Sequence, residues 1–205
     1  AEQMPSLEVR LFDFMTGSFE DYSALLTSFQ PDYTGISLRN IDDVNIYRQE
    51  SFISHYRQVI SQTRNGTRSE IIIGGAGFSI YPEYLFETLN PDFAVYGEGE
   101  ISLQQLITAL ETDRDFSKID GLLYRENGKL IINKRNNRFN APVLSFEDTL
   151  VDYYWHHSGM LNIQTKRGCP YSCIYCTYPL IEGHTVRTLN PDQIVLLILN
   201  LLSNA

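Results

Sequence analysis

Strand-like and helix-like segments alternate through the first half of the chain, and this alternation limits the fold more than any other feature. Short apolar runs end in loops, and an amphipathic stretch of helical length follows each run. Strands joined by helices form βαβ units, which build a parallel sheet with helices on both faces. The predicted strands are 7–14, 32–38, 70–73 and 91–96, and the predicted helices are 21–29, 52–63, 81–89 and 101–110.

The loops at the carboxyl ends of the predicted strands form a candidate binding edge, because ligands of parallel sheets bind there. The segment Gly74-Gly75-Ala76-Gly77 follows one of these strands. Glycines let the backbone approach a ligand closely. This run alone indicates only a tight turn, because it lacks the spacing of a dinucleotide-binding loop and the lysine of a phosphate-binding loop.

All three cysteines of the chain lie close together near its end. Cys169, Cys173 and Cys176 have the spacing Cys-x3-Cys-x2-Cys, and Tyr175 directly precedes the last of them. A structural zinc site needs four ligands, and a four-cysteine cluster needs a fourth thiol. A [4Fe–4S] cluster held by three cysteines leaves one iron open, where a small molecule can bind and react. The cysteine run is therefore a candidate metal site.

This run resembles the cluster loop of the radical S-adenosylmethionine (SAM) superfamily, whose pattern is Cys-x3-Cys-x-aromatic-Cys. The resemblance implies that Cys169, Cys173 and Cys176 hold a [4Fe–4S] cluster and that Tyr175 lies beside the adenine of SAM. It implies one-electron cleavage of SAM to methionine and a 5′-deoxyadenosyl radical. An electron donor such as flavodoxin or ferredoxin is then an expected partner.

The first half of the chain, from about Leu7 to Leu110, resembles the cobalamin-binding domain of many B12-dependent radical SAM proteins. The likeness lies in strands ending in Gly-Ile-Ser-Leu and Ile-Gly-Gly and in the run Pro-Asp-Phe-Ala-Val-Tyr-Gly-Glu-Gly-Glu. It implies a flavodoxin-like (Rossmann-like) α/β sheet with the corrin on the candidate binding edge. The residues expected nearest to cobalamin are Ser37, Leu38, Arg39, Gly74 and Gly75, with Gly97 and Glu98 close by.

The sequence departs from other B12 domains in two respects. The motif Asp-x-His-x-x-Gly of methionine synthase and the mutases is missing, so a histidine from that motif cannot coordinate cobalt. Arg39 or a water molecule would then lie under the cobalt. The chain is also expected to begin at the second strand of the family, without the first strand–helix unit.

Three domains are predicted. Residues 1–115 form the B12-binding-like domain, and residues 116–159 form a β-hairpin around Asn127-Gly128 and a linker, irregular over 140–159. Residues 160–205 form the start of a radical SAM β/α barrel, in which a strand over 160–165 delivers the cysteine loop. The helix predicted over 192–202 is apolar nearly all round, and we expect the chain to self-associate through it.

The composition excludes some classes of function. A formal net charge of −9 argues against a general nucleic-acid surface, which is normally basic. No apolar run is long enough to span a bilayer. A few clustered cysteines are typical of a reducing compartment, so a cytoplasmic location is expected.

The predicted function is that of a radical SAM enzyme that uses a [4Fe–4S] cluster, SAM and cobalamin for methyl transfer or rearrangement of a small-molecule substrate. Two alternatives remain open. One is a non-catalytic cobalamin-binding or interaction module. The other is a zinc-stabilised binding domain, in which His184 or His157 provides a fourth ligand to the cysteines.

Overall fold

A computed structural model describes residues 4, 7–43, 45–136 and 146–203 of the 205-residue chain. The chain divides into two compact units, residues 1–138 and 139–205. The helices are α1 (Phe19–Phe29), α2 (Ile53–Gly66), α3 (Pro82–Leu89), α4 (Glu100–Glu111), α5 (Asp148–Ser158), α6 (Tyr178–Glu182) and α7 (Pro191–Ser203). The strands are β1 (Tyr33–Ser37), β2 (Glu70–Gly74), β3 (Phe93–Val95), β4 (Leu122–Glu126), β5 (Lys129–Ile132), β6 (Lys166–Arg167) and β7 (Arg187–Thr188).

A mixed sheet of five strands is the centre of the first unit, and it confirms the predicted α/β class. Its strand order is β1-β2-β3-β4-β5, with β1, β2 and β3 parallel. Strand β4 runs antiparallel to β3, and β5 runs antiparallel to β4. The hairpin that the sequence analysis places in a linker is thus part of the sheet. The predicted domain boundaries themselves stay a prediction.

Strand β2 is buried on both faces, as a continuous apolar run in a parallel strand indicates. Ile71 and Ile73 join a cluster on one face, and Ile72 joins a cluster on the other. The first cluster contains Leu38, Phe78, Leu85 and Phe86 from the loop after β1, the turn after β2 and α3. The carboxyl end of β2 is therefore held on both sides by packed residues.

No strand forms over 7–14, so that part of the sequence interpretation was wrong. Phe12 and Phe14 instead pack against helix α1, with ring centroids 5.2 and 5.3 Å from that of Tyr22. Phe14 also contacts Phe19 and His55. The alternation of apolar and polar residues here reflects aromatic packing onto α1, which needs no strand partner.

The second unit differs from its prediction in two places. Helix α5 occupies much of the segment predicted to be irregular, of which residues 140–145 lie outside the described residues. The strand predicted over 160–165 does not form, and pairing begins only at β6, which is antiparallel to β7. In that segment Met160 is exposed, so its apolar side chain does not anchor a strand to a core.

In the part of the chain that the structure describes, no helix combines the length and the apolar character needed to cross a bilayer.

Candidate functional site

Three loops meet at the carboxyl ends of β1, β2 and β3, and we call them the rim: residues 38–40, 75–79 and 96–99. The first two loops are joined by backbone hydrogen bonds of Leu38. Its N–H donates to the Gly74 carbonyl oxygen at 2.8 Å, and its carbonyl oxygen accepts the Gly77 N–H at 2.9 Å and the Phe78 N–H at 3.3 Å. These bonds hold the first and second loops side by side.

Because the two loops approach so closely, two positions of the second rim loop have no room for a side chain and are glycines. Gly75 has φ +100°, and a Cβ there would lie 2.7 Å from the Leu38 carbonyl oxygen. A Cβ at Gly77 would lie 2.8 Å from the Arg39 carbonyl oxygen. Any larger residue would push the loops apart. The glycine run is therefore required by the packing of one rim loop on another.

The third rim loop is covered by an arginine that follows the hairpin. Gly97 has φ +85°, and its missing side chain leaves the space that the Arg135 side chain occupies. The Arg135 guanidinium carbon lies 6.0 Å from the centre of the Tyr96 ring, and the Arg135 N–H donates to the Tyr96 hydroxyl at 3.1 Å. The sequence analysis assigns no role to Arg135, because only the folded hairpin brings it here.

The residues predicted to be nearest to cobalamin all lie at this edge of the sheet. Ser37 pairs in register with Gly74, and Ser37 and Arg39 are exposed. The Leu38 side chain is fully buried in the core beside Gly77 and Phe78 of the second rim loop, so it is not exposed at the rim. The remaining candidates, which are half-buried, are Gly74, Gly75, Gly97 and Glu98. That these residues contact cobalamin stays a prediction.

The sequence analysis missed Ser79, a buried serine that joins the second rim loop to the third. Its hydroxyl donates to the Gly75 carbonyl oxygen at 2.8 Å and accepts the Gly97 N–H at 2.8 Å. No motif marks this residue. The Gly97 partner lies 18 positions away in sequence, so its role depends on the tertiary fold.

In the second unit, the cysteine loop is closed at its base by main-chain contacts. Gly168 has φ +80°, which lets the chain turn sharply out of β6. The Cys169 N–H donates to the Gly183 carbonyl oxygen at 3.0 Å, so the two ends of the loop meet. Within the loop, the Cys176 N–H donates to the Cys173 carbonyl oxygen at 3.1 Å.

Glu182, in the last turn of α6, forms hydrogen bonds with residues that directly precede the cysteine loop. Its carboxylate accepts the Gly168 N–H at 2.9 Å and a Gln164 side-chain N–H at 2.6 Å. The pKa of the Tyr178 phenol is raised, first by burial and then by its hydrogen bond with Glu182. The sequence analysis assigned no role to Glu182, because a single glutamate carries no recognisable spacing.

The three cysteines are free thiols on this loop. Cys169 is half-buried, and Cys173 and Cys176 are exposed. Among the residues that the structure describes, no three or more Cys, His, Asp or Glu side chains are grouped so that they could hold a metal ion. The chain thus brings the cysteines to one loop without gathering their sulfur atoms. Their assignment as cluster ligands stays a prediction.

Large side chains on the cysteine loop are turned toward solvent. Tyr175, expected beside the adenine of SAM, is 86% exposed, and the neighbouring Ile174 and Tyr171 are also exposed. Exposed apolar side chains that lie together often mark a surface that binds a ligand or another part of a protein. Three free thiols beside exposed aromatic rings suit a [4Fe–4S] cluster that binds a small organic ligand at an open iron.

Other proteins resemble this chain over most of its length. An uncharacterized methyltransferase of Pyrococcus horikoshii is 26% identical over an alignment of 188 residues, which covers 87% of this chain and 38% of that protein. Tryptophan 2-C-methyltransferase of Streptomyces laurentii is 24% identical and is matched over 89% of this chain and 40% of its own length. The chain therefore spans about 40% of these curated relatives. No family model matches the chain.

Solved structures have the same fold. The radical S-adenosylmethionine methyltransferase TsrM of Kitasatospora setae, with cobalamin and a [4Fe–4S] cluster bound, matches with a TM-score of 0.80 at 24% identity, over 90% of this chain and 38% of TsrM. The cobalamin-dependent S-adenosylmethionine radical enzyme OxsB, with aqua-cobalamin and S-adenosylmethionine bound, matches with a TM-score of 0.75 at 25% identity, over 96% of this chain and 27% of OxsB.

Proposed function

Because the chain is related in sequence and in fold to the cobalamin-dependent radical SAM enzymes, we propose that it supplies the cluster loop and the cobalamin-binding sheet of such an enzyme. The observation that carries this proposal is the cysteine loop. Cys169, Cys173 and Cys176 are the only cysteines of the chain, and none forms a disulfide. Three thiolates at this spacing fit a cluster with one open iron.

The residues of the loop have separate roles in this proposal. The thiolates of Cys169, Cys173 and Cys176 hold the [4Fe–4S] cluster, and the exposed ring of Tyr175 stacks against the adenine of SAM. When bound, the cluster supplies the electron that cleaves SAM to methionine and a 5′-deoxyadenosyl radical. A small redox protein such as flavodoxin or ferredoxin provides this electron. The substrate is a small molecule.

The rim of the first unit holds cobalamin in this proposal. Ser37 and Arg39 are exposed at the end of β1, where their polar groups are free of the core and can face the corrin. The loops after β2 and β3 complete the surface with the backbone of Gly74, Gly75 and Gly97. Several relatives carry the name methyltransferase, which favours methyl transfer over rearrangement as the reaction.

Anaerobic reconstitution with iron and sulfide tests the cluster assignment. We expect uptake of roughly four iron atoms per chain, and an electron paramagnetic resonance signal of the reduced cluster that shifts when SAM is added. The variant Cys169→Ala/Cys173→Ala/Cys176→Ala should take up none. His184→Ala and His157→Ala should behave like the wild type. If the wild type instead contains one zinc per chain and no iron, and if His184→Ala or His157→Ala loses that zinc, the result would support a zinc-stabilised domain.

A further inference from the structure

Two different kinds of contact hold the rim loops together. Between β1 and β2 the strand ladder extends to the pair Ser37↔Gly74, and backbone bonds of Leu38 continue it into the loops. Between β2 and β3 the ladder ends earlier, at the pair Ile73↔Ala94. The third rim loop is therefore not attached to the second by strand pairing.

Hydrogen bonds of the Ser79 side chain join the third rim loop to the second. Its side chain is 5% exposed, and its hydroxyl lies between the Gly75 carbonyl oxygen and the Gly97 N–H, 2.8 Å from each. A serine hydroxyl has one hydrogen, which the Gly75 oxygen takes, so the oxygen atom is left to accept the bond from Gly97. Both glycines have positive φ, and glycine backbone is intrinsically free to change conformation, so the two hydrogen bonds of Ser79 restrict points that have no side chain of their own to hold them.

We propose that Ser79 is a positioning residue that holds the third rim loop against the second and so sets the affinity of the rim for cobalamin. The inference rests on the proposed function, because cobalamin is the ligand that the rim would take. Without the hydroxyl, the Gly97 N–H loses its acceptor, and the loop must move to reach water. The backbone bond from the Ser79 N–H to the Gly75 carbonyl oxygen, at 3.1 Å, does not depend on the side chain. The second loop therefore keeps its turn.

Titration of the 205-residue chain with aquacobalamin, followed by visible absorbance, tests this role. Ser79→Ala should bind about ten-fold more weakly, the loss expected for one buried hydrogen-bond partner. Ser79→Thr keeps the hydroxyl and should recover most of the affinity.

Ser69→Ala is the matched control. Ser69 is also buried, at 8% exposure, and its hydroxyl lies 2.6 Å from the Thr34 hydroxyl at the opposite edge of the sheet. Urea denaturation should show that both alanine variants lose stability, whereas only Ser79→Ala loses affinity. Equal affinities of the wild type and Ser79→Ala would overturn the inference, as would an equal loss in Ser69→Ala.

A second measurement separates this inference from the proposed function. If the wild-type chain takes up no cobalamin, the function proposed for the rim fails, and amide hydrogen exchange then decides the role of Ser79 alone. Exchange of the Gly97 amide should be about ten-fold faster in Ser79→Ala and unchanged in Ser69→Ala. Unchanged exchange of Gly97 in Ser79→Ala would show that the bridge does not hold the loop.

Discussion

In each candidate site, one side chain that belongs to no sequence motif adds a connection to those made by the backbone. Ser79 ties two rim loops together, and Glu182 ties the start of the cysteine loop to α6. The cysteines could be proposed as cluster ligands from the sequence because their spacing is itself the signal, and that assignment stays a prediction. The sequence could not predict Ser79 or Glu182, because a serine or glutamate acquires its role only when distant backbone groups are brought beside it.

Glu182 should influence how readily the loop accepts iron. In Glu182→Ala the Gly168 N–H and the Gln164 amide lose their shared acceptor, which should destabilise the closed loop by about 1 kcal/mol. We expect less iron per chain after anaerobic reconstitution, measured by metal analysis. Glu126→Ala, at an exposed glutamate of β4, should take up as much iron as the wild type. Full iron uptake in Glu182→Ala would mean that the cluster alone organises the loop.

His55 should make the stability of the first unit depend on pH. Its ring packs against Phe14, Phe19 and Tyr56, and burial lowers the pKa of its imidazole. The unfolded chain, with an ordinary histidine pKa of about 6.5, therefore binds the proton more readily than the folded chain does. The stabilisation is fully present above that value, and it is lost as the pH falls through 6.5 toward the lowered pKa.

Urea denaturation at a series of pH values measures this effect. His55→Phe keeps an aromatic ring but cannot bind a proton. In this variant the free energy of unfolding should therefore decrease less than in the wild type as the pH is lowered below neutrality. His184→Gln, at an exposed histidine, should leave the profile of the wild type unchanged. An unaltered profile in His55→Phe would show that another group causes the dependence.

Helices and strands with a buried face were the elements that the sequence predicted well. The β2 strand and helices α1 to α4 lie within a few residues of their predicted positions, because each contributes apolar residues to a buried core cluster. The hairpin formed at its predicted turn, where Asn127 and Gly128 both have positive φ. The pairing of that hairpin with β3 could not be read from local sequence, because the pairing joins segments that are distant along the chain.

Helix α7 exposes leucines that should drive self-association. Leu197 is buried, but Leu196, Leu199 and Leu202 are more than half exposed. Burying them against a second copy would remove apolar surface from water, at about 25 cal/mol per Å². Light scattering at rising protein concentration should show an increasing mass for the wild type. The variant Leu196→Gln/Leu199→Gln should stay closer to the monomer mass.

Leu103→Gln provides the comparison for that experiment. Leu103 is a partly exposed leucine of α4, outside the proposed contact, so its replacement should leave the association unchanged. A wild-type chain that keeps its monomer mass at every concentration would contradict the association through α7.

At the scale of the whole molecule, the candidate cobalamin and cluster residues belong to different units of the chain. The rim lies in residues 1–138, and the cysteines lie in residues 139–205. Both groups of residues could be proposed from the sequence, because each has its own local pattern, and both assignments stay predictions. The sequence could not predict the contacts within the rim, which depend on how three loops pack.

This separation leads to a prediction about cobalamin. The variant Cys169→Ala/Cys173→Ala/Cys176→Ala should bind aquacobalamin as tightly as the wild type, because the rim contains none of the thiols. Spectrophotometric titration under the same anaerobic conditions measures this. If affinity disappears together with the cysteines, cobalamin binding requires the second unit, and the rim is not a sufficient site.

Strand β4 runs opposite to β3, so it starts beside the rim and carries the chain to the far end of the sheet. The Asn127-Gly128 turn therefore emerges at the edge remote from the three loops, and among the described residues, apart from its two chain neighbours, none comes within 4 Å of a Cβ added at Gly128. A fluorophore attached to Lys129, beside this turn, would report on the tumbling of the chain without obstructing the rim.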